Sequence, residues 1–534
     1  MIFRGPYREV EIPEISLTEF VFSRAAAHAE KPALIDGTTG RTLTYAGLRE
    51  GIDRVAASLA ARGFTKGDVL GVFSPNLPEY AVAFHAVATL GGATTPVNPL
   101  YTAEEVRKQL TDAGAKLLVT VAPLLERARE ACEGTSIEEV FVFGEAEGAT
   151  PFASLMEGGA DGVPHVSIDP REDVVALPYS SGTTGVAKGV MLTHRNIVAN
   201  LCQFEGAGFE WRDDTLVCVL PMFHIYGLVA ILNYGLYCGA TIVTLPRFEL
   251  EQVLGVMQDY KVTTAHLVPP VVLALAKHPV IDRFDLSSVK TVFSGAAPLG
   301  AELSQACCER LGCNIIQGYG MTETSPVTHL TNHERSKHGS VGLPVGHTEC
   351  KVVCLETGAT LGPGAEGEIC IRGPQVMKGY LNKPEATAQT IDREGWLHTG
   401  DIGYADPEGF FFIVDRAKEL IKYKGFQVAP AELEALLLTH PRVADAAVIP
   451  RPDEEAGEIP KAFVVLRQGN PATNGDAADT HDEDATADEL MTYVAARVAP
   501  HKKIRLIEFV EQIPKSPAGK ILRRVLVQRE RAQR

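Results

Sequence analysis

The 534-residue sequence contains no Cys-x-x-Cys pair. Its ten cysteines, at positions 132, 202, 218, 238, 307, 308, 313, 350, 354 and 370, show no Cys/His spacing of the zinc-site kind. Most stand in apolar company, as Cys218 and Cys370 do, which predicts reduced core residues of a cytoplasmic protein. Residues 1–12 mix charges with prolines and lack an apolar stretch, so no secretory signal is expected; the final Arg-Ala-Gln-Arg carries no peroxisomal or prenylation signal. Positive charge is in deficit: 50 Lys and Arg against 67 Asp and Glu leave a net charge of -17 with neutral histidines. That argues against sequence-independent adhesion to nucleic acid or anionic lipid, which needs clustered cations, but leaves room for small anions in a local cationic pocket. With 45% hydrophobic and 22% charged residues the chain is neither disordered nor collagen-like, and its length corresponds to about three to four domain-sized units.

Residues 215–246 contain no Asp, Glu, Lys or Arg, a run long enough to span a bilayer. Pro221, His224, Asn233 and three glycines interrupt it, which predicts instead a strand, an elbow and a helix inside a large core, with no integral membrane segment.

Helical periodicity over 43–62 and 80–90 alternates with β-rich runs at 69–73, 94–97 and 117–121, and the pattern resumes from residue 173. Strands separated by helices of this length predict an α/β fold in which layered parallel sheets carry helices on their faces, in a large N-terminal domain of residues 1–414. From about 339 to 414 glycine and proline become frequent and strands alternate, which marks a small β-rich subdomain. A hinge is expected at 415–418, followed by a small mobile α+β domain over 419–534 with a helix at 430–439, strands at 446–449 and 462–466, and a helix at 488–498. Within it, residues 469–489 hold seven acidic residues and no Lys or Arg, the composition of a solvated loop.

The most informative segment is Tyr179-Ser180-Ser181-Gly182-Thr183-Thr184-Gly185-Val186-Ala187-Lys188-Gly189, which follows the buried run 174–177. Gly182, Gly185 and Gly189 permit close backbone approach, amides and hydroxyls can ring an oxyanion, and Lys188 supplies a point charge. It is not a Walker A loop, because Gly189 rather than Ser or Thr follows the lysine, so a magnesium ligand must come from elsewhere. Residues 221–227 place His224 among aromatics; taken alone it reads as a core histidine. Residues 294–299 form a small-residue edge able to admit a flat ring. Gln317-Gly318-Tyr319-Gly320-Met321-Thr322-Glu323 offers an aromatic face, a hydroxyl and a carboxylate; Glu323 alone reads as a surface residue, but beside a triphosphate it becomes a magnesium ligand. Thr399-Gly400-Asp401 puts a carboxylate after a tight turn, suited to ribose hydroxyls.

The segments 179–189, 221–227, 318–323, 399–401, 415–430 and 514–520 occur in the order found in the adenylate-forming superfamily of acyl-CoA synthetases, luciferases and peptide-synthetase adenylation domains. The resemblance runs from about residue 17 to 524, and the wording of 415–430 looks most like 4-coumarate:CoA ligases and firefly-type luciferases. The acidic stretch 469–489 departs from the pattern, and it lies between motifs.

The resemblance implies ATP-dependent activation of a carboxylic acid as an acyl-adenylate, then transfer to coenzyme A, with Mg²⁺ assisting. By it, Ser180, Ser181, Gly182, Thr183, Thr184 and Lys188 hold phosphates; Thr322 serves phosphate, and Thr184 and Glu323 serve Mg²⁺. Ala296, Gln317, Gly318 and Tyr319 border the adenine, Asp401 and Arg416 bind ribose, and His224 orients the carboxylate or acyl-phosphate. Lys520 matches the adenylation lysine, Lys418 the hinge, Lys422 and Gln427 nucleotide contacts, and Lys424, Gly425 and Arg247 the coenzyme A contacts, with Arg247 replacing the usual lysine. The acyl pocket would be lined by Phe223, His224, Ile225, Gly295, Gly320, Pro326 and Val327. Phe223 stands where amino-acid-activating relatives carry Asp, so the expected substrate is a hydroxycinnamate-like or fatty acid. A stand-alone adenylation enzyme loading a carrier protein and a luciferase-like oxygenase stay open at this point, as does the oligomeric state.

Overall fold

The computed structural model describes residues 1–180, 187–297, 299–424, 426–453, 455–467, 483–516 and 519–532, with the side chains of Gln427 and of residues 483–485 outside the description. Among the described residues the strands form two nine-stranded and two five-stranded sheets.

The first nine-stranded sheet is built around Val69–Phe73, which pairs in parallel with Ala93–Val97 on one side and Ala115–Val121 on the other. The second runs in parallel through Pro32–Asp36, Thr241–Thr244, Thr215–Cys218, Thr264–Leu267, Thr291–Ser294 and Asn314–Gly320. Every residue of Val69–Phe73 and Ala93–Val97 is buried, as expected for strands covered on both faces. The expected helices appear as Tyr45–Ala61, where the Thr44 hydroxyl caps the Gly47 amide at 3.1 Å, and as Pro78–Thr89, where a proline starts the helix without losing a hydrogen bond. The uncharged run 215–246 folds as strand Thr215–Cys218, a π-helix Tyr226–Asn233, helix Tyr234–Cys238 and strand Thr241–Thr244. Among the described residues no helix is long and apolar enough to cross a membrane.

The β-rich part is an antiparallel sheet of Glu349–Val353, Gly367–Arg372, Leu397–Ala405 and Phe411–Arg416. Its edge is completed by Phe3–Arg4, a strand too short for its sequence to announce. Residues 399–401 do not form the anticipated tight turn. Glu368 pairs with Ile402 and Cys370 with His398, so Ile369 alone opposes three residues and 399–401 bulge from a continuous strand, Gly400 taking φ +70°.

The last sheet holds Val443–Asp453, Gly457–Leu466, Ile421–Tyr423, Phe426–Val428 and the parallel Leu506–Phe509. Helix Pro430–Thr439 falls where its sequence placed it. Asp415 accepts from the Ala431 amide in the first turn of that helix at 2.9 Å, tying it to the end of strand Phe411–Arg416. Residues 469–489 are not one loop: 468–482 lie outside the described residues, and helix Glu483–Ala495 starts five residues before the anticipated one. All ten cysteines are free, and seven of them are buried.

Candidate active site

Asp401 sits where two sheets meet. It is buried, it lies on the bulged strand, and its Cα partner across the ladder is Arg416. The Arg416 Nε stands 3.1 Å from Asp401 Oδ1, while the Tyr319 hydroxyl, reaching over from the parallel sheet, donates to Oδ2 at 2.6 Å. Burial works against the charge of Arg416, but Asp401, Glu419, Tyr319 and Glu323 hold its pKa above the ordinary value. Burial, and then Asp401, pushes the Tyr319 phenol well above its usual range, so it stays a donor. A carboxylate held by one guanidinium and one phenol keeps free lone pairs for a vicinal diol.

The C-terminal domain reaches this cluster through residues 514–520. The Ser516 amide donates to the Lys520 carbonyl at 2.8 Å and the Lys520 amide to the Ser516 hydroxyl at 3.1 Å, closing a short loop. Gly519, at φ +74°, lies so near the large domain that a Cβ would stand 2.8 Å from the Val268 side chain. This packing sends Lys520 inward, where burial, and then Arg416, lower its pKa while Glu419 and Asp401 raise it. His224 is felt from the same loop: burial and Lys520 both lower its pKa. The residue keeps solvent-accessible surface. A neutral imidazole there can donate or accept one hydrogen bond without adding charge.

Lys188 begins a strand that pairs with Gly379–Tyr380, and its Nζ lies 4.6 Å from the centre of the Tyr380 ring. The Tyr380 hydroxyl donates to Glu323 Oε1 at 2.9 Å. Glu323 is therefore buried, not a surface residue, in the short 3₁₀ turn Thr322–Thr324. The hard oxygens of Glu323, close enough to Arg416 to raise that group's pKa, fit a magnesium ion neutralising phosphate charge. Thr184, named with it, lies outside the described residues, as do Ser181, Gly182, Thr183 and Gly425; only the backbone of Gln427 is described. Ser180 pairs with Lys188 at the mouth of that loop.

Glycines shape the ring-sized space. A Cβ on Gly320 would meet the Pro326 carbonyl at 1.9 Å, one on Gly318 the Leu330 side chain at 2.9 Å, and one on Gly295 the edge of the Tyr226 ring at 2.9 Å. Ala296 follows with φ +69° at the bend between strand Thr291–Ser294 and helix Ala301–Leu311. Gln317, Ile225, Pro326 and Val327 are buried, while Phe223, Tyr319 and Thr322 are half-buried. The charged residues matched to coenzyme A do not join this cluster: Arg247 is exposed and paired with Glu249, and Lys424 with Glu455 of its own domain. Lys418 and Lys422 are exposed.

Three contributors carried no recognisable signal in the sequence. Tyr380 is one. The others are Tyr226, whose hydroxyl stands 3.2 Å from His266 Nδ1, and His266 itself, fully buried with Nε2 lacking a partner. Tyr226 lies inside the quoted segment 221–227, but only folding brings it to Gly295 and His266.

Comparison with known proteins shows the family. The family model "AMP-binding enzyme" matches residues 21–381, and "AMP-binding enzyme C-terminal domain" matches 432–520. The 4-coumarate:CoA ligase 1 of Petunia hybrida is 45% identical over 98% of this chain and 96% of its own, as is the 4-coumarate–CoA ligase of Vanilla planifolia. The crystal structure of the anthranilate CoA ligase AuaEII in complex with anthranoyl-AMP superposes with a TM-score of 0.87 at 26% identity, covering 97% of this chain and 98% of that one. With family models spanning most of its length and close relatives covering nearly all of it, the chain belongs to the AMP-binding enzyme family.

Proposed function

We propose that the protein is an AMP-forming acid–thiol ligase that activates a hydroxycinnamate-like carboxylic acid as its acyl-adenylate and passes the acyl group to coenzyme A. The observation that supports this reading is that Lys520 of the small domain is close enough to His224, Asp401 and Arg416 of the large one for their charges to act on one another. In the first step the substrate carboxylate attacks the α-phosphorus of ATP; a P–O bond forms to the acid and the bond to pyrophosphate breaks. Free carboxylates resist thiols because oxide is a poor leaving group, whereas AMP departs readily. In the second step the thiolate attacks the acyl carbon and the C–O bond to AMP breaks.

Attack at phosphorus needs charge neutralisation and alignment more than covalent help. Lys520 stands ready for the α-phosphate and Lys188 for the outer phosphates. Asp401, fixed by Tyr319 and Arg416, receives the ribose hydroxyls, and the Tyr319 ring offers a face to adenine. His224, neutral at physiological pH, orients the acid's carboxylate. Mg²⁺, held by Glu323 and Thr184, would supply further neutralisation of phosphate charge. The acyl group enters between Gly295, Gly320 and the Phe223–Ile225 segment, with the Tyr226–His266 pair offering hydrogen bonds to a ring substituent.

With Lys520 directed at the nucleotide, the second step calls for the small domain to turn about 415–418 and offer a different face, bearing Lys424, toward Arg247. The aromatic preference over a fatty acid rests on the 4-coumarate ligases at 45% identity. A cytoplasmic location fits the ten free cysteines. The test is release of pyrophosphate and AMP with ATP, Mg²⁺, coenzyme A and a panel of hydroxycinnamates and graded fatty acids; a folded protein that turns over none of them refutes the reading.

A further inference from the structure

The bulge that presents Asp401 raises an accounting question. A residue expelled from a ladder leaves its amide without a strand partner, and a buried amide must find another acceptor. For Asp401 the answer is local: its amide donates to the Thr399 hydroxyl at 3.0 Å, and that hydroxyl in turn donates to the Ile369 carbonyl of the neighbouring strand at 2.7 Å. For Gly400 it comes from across the sheet. Its amide donates to Glu368 Oε1 at 3.0 Å, and its carbonyl accepts from the Ala417 amide at 2.9 Å. One residue, through the peptide groups on its two sides, thus links a carboxylate on the neighbouring strand to the first residue beyond strand Phe411–Arg416, where the chain leaves for the small domain.

Glu368 is itself held. Its other oxygen, Oε2, lies 2.8 Å from His398 Nδ1, and a carboxylate there fixes the ring proton on Nδ1. Cys370 Sγ lies 3.5 Å from the same nitrogen, and Asp392 Oδ2 lies 3.6 Å from Nε2. Hydrogen bonding to Cys370, then to Glu368, raises the imidazole pKa to about 10, so the ring is a cation at neutral pH. The donor atoms of Glu368, Cys370 and His398 all fall within 4.8 Å of one another, the spacing of a metal site. They satisfy one another, however: Nδ1–H serves Glu368 and the remaining carboxylate oxygen serves Gly400. The cluster therefore has a task without a metal.

We propose that Glu368 and His398 are a positioning pair for nucleotide binding: His398 aims the Glu368 carboxylate, and Glu368 fixes the Gly400 peptide so that Asp401 and Ala417 hold a set relation. This rests on the reading of Asp401 as the nucleotide carboxylate. It makes the ribose contact and the start of the hinge depend on one side chain that touches neither substrate.

The experiment uses the full-length protein with the variants Glu368→Ala, Glu368→Gln and His398→Gln. Calorimetric AMP binding, the separate KM values for ATP and for the acid, and Tm are measured for each. Glu368→Ala leaves the Gly400 amide without its acceptor and weakens AMP binding about tenfold, with a parallel rise in KM for ATP and no change in KM for the acid. Glu368→Gln keeps an acceptor for Gly400 and recovers most of the loss. His398→Gln releases Glu368 and weakens AMP binding about threefold, which keeps the idea testable should Glu368→Ala not fold. A folded variant with a lower Tm but unchanged AMP affinity and ATP KM overturns the assignment, as does an equal rise in both KM values. Wild-type protein that binds no AMP would instead overturn the nucleotide reading.

Discussion

Asp401 and Arg416 are direct partners across two antiparallel strands, and the guanidinium stands 3.1 Å from the carboxylate. The pair is more than a surface bridge, because Asp401 is buried and Arg416 is the last residue of its strand before the chain departs for the small domain. Asp401→Asn keeps the shape but leaves Arg416 facing a neutral amide and removes a charged acceptor. Raised KM for ATP by about tenfold or more, with the acid's KM unchanged, is the expected result from steady-state kinetics.

On the proposed reading, Lys520 acts in the adenylation half-reaction only. Lys520→Ala should lower adenylate formation by about 10²–10³-fold, the usual effect of deleting one charge-stabilising donor. Thioester formation from a supplied acyl-adenylate should survive, since that step uses the opposite face of the small domain. A pyrophosphate-release assay run beside an acyl-adenylate-to-thioester assay separates the two, and equal loss in both would sink the division of labour.

Tyr380 joins Lys188 to Glu323. Tyr380→Phe keeps the ring under Lys188 and deletes the hydroxyl donated to Glu323, so adenylation should fall by about three- to tenfold. Tyr380→Leu removes the ring as well and should cost more. Mg²⁺ titration of the adenylation rate is the readout: the Phe variant should need more Mg²⁺ for half-maximal rate.

Gly295 keeps the acyl space open. A Cβ there would lie 2.9 Å from the Tyr226 ring, and Tyr226 is already committed to His266. Gly295→Ala should cut kcat/KM for ring-bearing acids by about tenfold while sparing short unbranched ones, a difference in transition-state binding of about 1–3 kcal/mol. A panel of competing acids measures it.

His85, His194, His266 and His329 are fully buried, and burial lowers their pKa values from 6.5 to about 3, 4, 3 and 3. Below pH 6.5 the unfolded chain takes up protons that the fold refuses, so stability falls as pH falls from 6.5 toward 4. Each histidine contributes about 1.4 kcal/mol per pH unit in that window. Urea unfolding at pH 7, 6 and 5 should show the decline, and His329→Gln should flatten it by one histidine's share.

Composition and order settled much before folding was considered. The alternation of periodicities gave the parallel layers and the glycine-rich passage after residue 339 gave the antiparallel sheet, whereas the nucleotide roles expected of residues 179–189, 399–401 and 514–520 came from their resemblance to the adenylate-forming superfamily. Local reasoning failed where the cause was distant. Residues 399–401 read as a turn from a glycine between polar residues, yet the partner strand makes them a bulge. Glu323 read as exposed because nothing near it in sequence covers a carboxylate; Tyr380, 57 residues on, does. Strand Phe3–Arg4 exists only because Glu349–Val353 offers it an edge.

The chain's own order of residues determined the alternation of strands and helices and the succession of short segments that resembles the adenylate-forming superfamily; Lys520 alone reads as one more exposed lysine, and its proposed role comes from that resemblance. Tertiary structure alone decided that Gly519 packs against Val268 and brings the Lys520 charge near enough to be felt by His224, that Tyr319 and Arg416 close on the same carboxylate, and that Glu368 accepts from the Gly400 amide. The physical reason is range. Backbone preference and periodicity act over a few residues, whereas electrostatic fields and hydrogen-bond geometry act between whatever surfaces packing brings within a few ångströms.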